Sequence, residues 1–289
     1  MQGTSVLTTP RGQLNIIFKP RLIVVFAVCL GLVATPVGAA PTTFFGADLD
    51  NSLFASAAFD TSGTELIVTL SNISSFDVLV PVDVLTAIFF DIAGDPTLTR
   101  ISATLAPGSS VVNPPPEPTD PGPDGIGGEW AYKTGLSGVS GMPLGNPTTL
   151  SPPNQGISSV GLGPFGPGDR FPGNNLAGPD SPNGLQYGLT SAGDDITTGN
   201  NKVKKTPLIQ NAAVFALGGL PAGFDPSTGI FNVTFHYGTS FDEPNVPAII
   251  VPGDDSNPSV PEPSSLILLG IGILGLFGYG WRRRKQLTG

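Results

Sequence analysis

Hydrophobic and polar residues alternate with period two along several short stretches of this chain, which is the pattern of strands with one buried face. After the turn residues Asp60-Thr61-Ser62-Gly63, Leu66, Val68 and Leu70 interleave with Ile67, Thr69 and Ser71 and predict a strand opened by Glu65. Phe76 to Phe90 is rich in valine, leucine and phenylalanine, but Pro81 interrupts it and predicts an edge position or two short strands joined by a bend. Ile101, Ala103 and Leu105 form another alternating face after the turn at Gly94-Asp95-Pro96. A second block holds Leu208 to Leu217, Ile230 to Tyr237 and Ala248 to Val251, separated by Gly218-Gly219-Leu220-Pro221 and by Asp242-Glu243-Pro244. No segment between the two terminal regions sustains a helical period. The expected fold class is therefore mainly β: an antiparallel sandwich or jelly-roll-like domain whose two blocks of strands pair across the middle of the chain.

That middle, residues 113–205, is dominated by glycine, proline, asparagine and serine. Composition alone predicts disorder. Trp130, Tyr132, Phe165, Phe171 and Tyr187 argue otherwise, because disordered linkers are poor in such rings. Asn113 to Asp124 reads as a polyproline linker or hairpin tip, and Glu129 to Asp195 as an ordered, loop-rich insertion packed on the sheets.

Both ends carry apolar runs. Arg11, Lys19 and Arg21 precede Leu22 to Val33, and Val37-Gly38-Ala39 follows with small residues, the order of a secretory signal peptide. Signal peptidase is expected to cleave between Ala39 and Ala40, since cleavage after Ala40 places Pro41 just beyond the scissile bond. The single cysteine, Cys29, is removed with that segment, so the exported part has no disulfide, thiolate metal ligand or cysteine nucleophile.

At the other end, Pro261-Glu262-Pro263 is followed by an uncharged stretch from Ser264 to Trp281 and then by Arg282, Arg283, Arg284 and Lys285. The prolines hold the tripeptide extended. As a helix the uncharged stretch is roughly 27 Å long, just enough for a thin hydrocarbon layer, and the basic cluster acts as a stop-transfer signal kept on the cytoplasmic side. This order of tripeptide, span and basic cluster resembles the PEP-CTERM sorting signal. The resemblance implies an exosortase-type membrane protease as partner, transient residence of the helix in the inner membrane, and release to the cell surface or extracellular matrix. The expected organisation is a signal peptide (1–39), an exported β-rich domain (40–258) and a sorting segment (259–289) with a transmembrane helix at 264–281 and a basic tail at 282–285. Four further stretches, Ser75 to Pro81, Glu129 to Tyr132, Phe165 to Asp169 and Gly184 to Leu189, resemble a family of exosortase-dependent surface proteins without assigned activity. That family supplies no catalytic residues.

Charge narrows the partners. Between residues 41 and 260 there are six basic residues and twenty-one acidic ones, a net charge of −15. Phosphate backbones are repelled, so nucleic acid is not an expected partner. His236, the only histidine, shares a strand face with Asn232 and Thr234, opposite Phe231, Val233 and Phe235, and is expected to face outward, as a surface residue or, alternatively, a general base. The acid pairs Asp194-Asp195, Asp242-Glu243 and Asp254-Asp255 point their members in opposite directions on extended backbone, which disfavours a glycosidase pair. No GxSxG elbow supports a hydrolase triad. No cofactor is expected, although Asp120 to Gly125 admits structural calcium as well as a solvated acidic turn. Three functions remain: a structural or interaction protein of the cell surface without catalysis, a module that stacks Trp130, Tyr132 and Tyr187 on exopolysaccharide, and a secreted hydrolase.

Overall fold

The computed structural model describes residues 41–113, 125–145, 151–176 and 182–250, and antiparallel pairing dominates them. In chain order the strands are β1 (Thr42–Asp48), β2 (Leu53–Ser62), β3 (Glu65–Asn72), β4 (Leu85–Ile92), β5 (Thr99–Leu105), β6 (Ser110–Val112), β7 (Ala131–Thr134), β8 (Gln155–Ser158), β9 (Leu189–Thr190), β10 (Leu208–Gln210), β11 (Ala212–Gly218), β12 (Ile230–Tyr237) and β13 (Asn245–Ile250). They join in one sheet of order β5-β11-β3-β2-β1-β13-β12-β4-β9-β10-β6, with β8 also on β4 and β7 on β8. Only β9 and β10 run parallel. Among the described residues helix is confined to single turns, the longest being Pro226–Gly229, which Asp225 caps by accepting from the Ser227 N–H at 2.9 Å.

The sheet is nearly closed, and the two predicted blocks pair as expected. Its end strands, β5 and β6, are consecutive in the chain, and so are the strands they pair with, β11 and β10. The apolar run Leu208 to Leu217 is thus not one strand but two. Asn211 divides it at φ 89°, a left-handed conformation that asparagine tolerates and β-branched residues do not. At this corner the Asn211 N–H donates to the Thr190 carbonyl (2.9 Å), its carbonyl accepts from the Asn72 N–H (3.1 Å), and the Ala212 N–H donates to Ser109 Oγ (3.1 Å). Every backbone group freed by the break is therefore satisfied.

Because the sheet curls over, distant strands face one another. Phe59 of β2 lies 5.2 Å from Phe90 of β4, edge to face, although three strands separate them in the order. The main core fills this space with Leu66, Val68 and Leu70, Ile88, Phe90 and Ile92, and Phe215. Pro81 does not mark an edge strand. It opens a 3-10 turn, Pro81–Asp83, after which β4 runs uninterrupted between β12 and β8. Its continuous apolar run reflects burial on both faces, since Ala87 and Phe89 enter a second cluster with Leu136, Met142 and Phe165 of the insertion.

The insertion is ordered where it is described, and its rings anchor it. Trp130 packs on Phe215 at 4.8 Å and donates Nε1–H to the Tyr187 carbonyl (3.1 Å), while Phe171 lies 5.5 Å from Phe215. Glycine permits one close crossing here. A Cβ on Gly127 or Gly128 would come within 1.8 Å of the carbonyl oxygens of Pro172 and Asn174, so the chain can cross only at bare backbone.

Register fixes where the ends of the domain leave. Phe44 faces Ile250, while at the other end of β1 Asp48 faces Leu53. The first and last strands therefore exit together at one pole, and the β1–β2 turn lies at the opposite pole, roughly 20 Å away along the strand. We expect Asn211→Val to destabilise the domain by about 1–3 kcal/mol in urea denaturation, and Asn211→Gly to change stability by less than about 1 kcal/mol. Equal effects would show that the backbone corner does not matter.

Candidate functional site

The residues singled out for ligand stacking are inside the protein. Trp130, Tyr132 and Tyr187 are 0%, 1% and 2% exposed, so none can lie against a sugar ring. Sequence marks a ring as an anchor but not which side of it is covered. The Tyr132 hydroxyl donates to Gln155 Oε1, whose amide donates to Asp95 at 2.7 Å. Burial raises the Tyr132 phenol well above its usual value, helped by the charge of Asp95. Burial, with the charge of Glu129, pushes Tyr187 up to about 12. Both remain neutral structural phenols at ordinary pH.

His236 is likewise buried, against the expectation of an outward face. The alternation slips at a bulge between Phe231 and Thr234, where Asn232 adopts φ 56°, and the outer face of β12 is itself covered. Phe89 and Phe241 flank the imidazole at 6.3 and 6.2 Å. Asn245 commits its amide N–H groups to the carbonyls of Phe241 (3.0 Å) and Glu243 (2.9 Å), so its oxygen faces His236 Nδ1 at 2.8 Å and must accept from it. Nε2 then carries the lone pair, with no partner among the described residues. Burial lowers the pKa of this imidazole, outweighing Asn245 and the Glu243 carboxylate, which raise it. The ring is neutral and enclosed, as a structural histidine is.

The described acid pairs lie in turns, not on strands, and are used structurally. Asp194 points inward and accepts from the Val78 N–H (2.8 Å) and the Thr190 hydroxyl, whereas Asp195 is exposed and caps its own turn through Thr197. Those turn hydrogen bonds hold the Asp195 carboxyl below the usual carboxylate range. Glu243 caps the Thr239–Ser240 turn. Among the described residues no group of three or more His, Cys, Asp or Glu is placed to hold a metal ion. Asp254-Asp255 and residues 120–124 of the calcium-like stretch lie outside the described residues.

An exposed surface does emerge at the pole opposite the domain's two ends. The turn after β1 and the loop after β3 meet there: Ser74 Oγ donates to the Ser52 carbonyl (3.0 Å) and the Ile73 N–H to that of Phe54 (2.9 Å). A cleft of about 210 Å³ between them is lined by Asn51, Ser52, Phe76, Asp77, Leu79 and Asp83 among others. Its rim is apolar, with Phe76 55%, Leu79 49% and Val80 40% exposed. The loop is held from two sides. Asp194 accepts from the Val78 N–H while Asp77 accepts from that of Asp195 (3.1 Å), and Asp83 accepts from the N–H groups of Leu79 (2.9 Å) and Val80 (3.0 Å). The Asn200 N–H closes the arrangement on the Leu79 carbonyl at 2.8 Å. Sequence patterning missed this tip because Phe76 to Val80 reads as more of the strand that begins at Leu85. The clue was Pro81, which forbids a continuous central strand.

Residues 259–285 match the family model of the PEP-CTERM protein-sorting motif. The chain carries an exosortase sorting signal. This sorting signal implies export, processing by exosortase, a membrane protease, and localisation at the cell surface. Neither a curated protein nor a solved structure matches the chain. Pro261, Glu262 and Pro263, the stop-transfer residues Arg282, Arg283, Arg284 and Lys285, and the cleavage-site residues Ala39 and Ala40 lie outside the described residues, as do both terminal apolar runs. Among the described residues no helix is long and apolar enough to cross a membrane.

Two outcomes test this description. Asp194→Ala, which strands the Val78 N–H, is expected to cost about 1–3 kcal/mol and to speed amide exchange at Val78. The folded His236 resists protonation, so the unfolded chain takes up the proton first as pH drops. Stability from this group is full above about pH 6.5 and is lost below it. Denaturation midpoints are expected to fall between pH 7 and 5, and to fall less for His236→Gln.

Proposed function

We propose that this is an exported, exosortase-processed protein of the cell surface or extracellular matrix, with a structural or interaction role and no catalysis of its own. The sorting motif at residues 259–285 carries the reading. In this account signal peptidase cleaves after Ala39, and Ser264 to Trp281 spans the inner membrane with Arg282 to Lys285 on the cytoplasmic side. Exosortase then cuts near Pro261-Glu262-Pro263 and releases a domain of about residues 40–258. The domain works as a β-sandwich of jelly-roll kind, a reading supported by the opposed rings of Phe59 and Phe90, and it acts without a cofactor.

The interaction role is supported by the placement of the cleft and its exposed apolar rim at the pole away from Ile250, where the described chain ends. A rigid rim of exposed Phe76, Leu79 and Val80 has no value to stability, since each apolar group left in water forgoes burial. Burial of Trp130, Tyr132 and Tyr187 removes the ring platform on which a carbohydrate-binding reading rested. The internal use of Asp194 removes the acid that a hydrolase would pair with Asp195.

Intact mass of the protein recovered from its host tests the proposal. The expected mature species lacks Met1 to Ala39 and the tail beyond the motif, and Glu262→Ala is expected to replace it with a membrane-retained form. A native protein that keeps Leu266 to Lys285 would mean a plain membrane-anchored domain.

A further inference from the structure

The cleft at the distal pole mixes polar and apolar lining. Asn51, Ser52, Asp77 and Asp83 line it together with Phe76, and among the described residues no lysine, arginine or histidine does. Several of its polar atoms are free of partners among the described residues. Asn51 donates from Nδ2 to Asp48 Oδ2 at 2.7 Å, which leaves its Oδ1 without a donor. Asp83 meets the N–H groups of Leu79 and Val80 through Oδ2 alone, so Oδ1 is unengaged. The Ser52 hydroxyl makes no hydrogen bond, and Ser52 stands at φ 58°, a left-handed conformation in which glycine is less strained. Ser74 Oγ donates to the Ser52 carbonyl (3.0 Å) and accepts from the Phe76 N–H (3.2 Å), which ties this conformation to the segment that carries the ring. A serine standing where glycine would be more stable brings a hydroxyl to the cleft at the expense of the fold.

Such a lining selects its ligand. Carboxylates and amide oxygens with no cation beside them repel an anion and accept from O–H donors. Phe76, about half exposed, offers an apolar face whose burial on binding is favourable. A volume of about 210 Å³ lies below the roughly 300–1,000 Å³ of pockets for drug-sized molecules, so the cleft takes one ring and not a chain of them. A neutral sugar unit meets all three conditions, with hydroxyl donors around its edge and C–H groups on its face. We propose that the cleft binds a single neutral sugar unit, the end or a branch of a surface polysaccharide, with its C–H face on Phe76 and its hydroxyls donating to Asn51, Ser52 and Asp83. The inference rests on the interaction role proposed above and names the chemistry of the partner. The stacking ring is thus not Trp130, Tyr132 or Tyr187, which are buried. Contacts of Asp194 with the Val78 N–H and of Asp83 with those of Leu79 and Val80 fix the loop in advance, so binding orders little chain.

Saturation-transfer NMR on the protein purified from its host, without glycoside detergents, tests it. The probes are the methyl glycosides of glucose, galactose, mannose and N-acetylglucosamine. At least one is expected to bind, with a dissociation constant of about 1 mM. Phe76→Ala removes an exposed ring and is expected to weaken that binding by about five- to tenfold. Ser52→Gly relaxes the left-handed backbone, so it is expected to hold or raise the urea midpoint while weakening binding; a merely structural serine would move the midpoint alone. Absence of transfer to all four glycosides, or binding that Phe76→Ala and Ser52→Gly leave unchanged, overturns the proposal. Binding of calcium chloride with no transfer to any glycoside makes the tip a cation site and overturns it as well. If no glycoside binds while Phe76→Asp still reduces retention on the cell surface, the sugar proposal fails and the interaction reading stands.

Discussion

Closure of the sheet depends on a single backbone corner. At Asn211 the ribbon leaves its pairing with β6 and β9 and enters its pairing with β3 and β5, and a residue at φ 89° makes that turn within one position. Without it, Leu208 to Leu217 would continue as the straight strand that its composition favours, and the sheet would lie open with two long edges exposed to pairing. Closing it places Phe59 against Phe90 and brings the loops after β1 and β3 beside those around residues 190–205. The tip is therefore a product of the closure. Its shape is set by reciprocal carboxylate to N–H contacts between segments more than a hundred residues apart in the chain.

Much of the fold was legible in the sequence wherever one face of a strand meets core and the other meets solvent. Leu66, Val68 and Leu70 of β3 are all buried, as their alternation implies, and β5 and β12 fall where expected. β1 and β2 escaped notice because alanines stand at buried positions, Ala55 and Ala57, and again at the half-buried Ala58, which blurs the period. Pattern also fails where both faces are covered. Ala87 and Phe89 of β4 sit beneath the insertion and His236 of β12 against Phe241 of the loop that follows it, and nothing in a strand's own period reports what another segment lays over it. The same blindness applies to the rings of the insertion, whose spacing does not report which side of each ring is covered. The sorting signal was legible for a different reason. It is carried by the order of residues 259–285 alone, so recognising it requires no tertiary context.

Strand order also bears on the sequence of events during export. β13 is the only strand between β1 and β12, so it alone joins the two halves of the sheet along that path. In a chain threaded outward from its N-terminus, β1 must wait with one hydrogen-bonding edge unfilled until nearly all the other strands have emerged, and Asn245–Ile250 is the last to arrive. That last strand lies just ahead of the sorting segment. The sheet can therefore be completed only when export has reached almost as far as the residues that match the sorting motif.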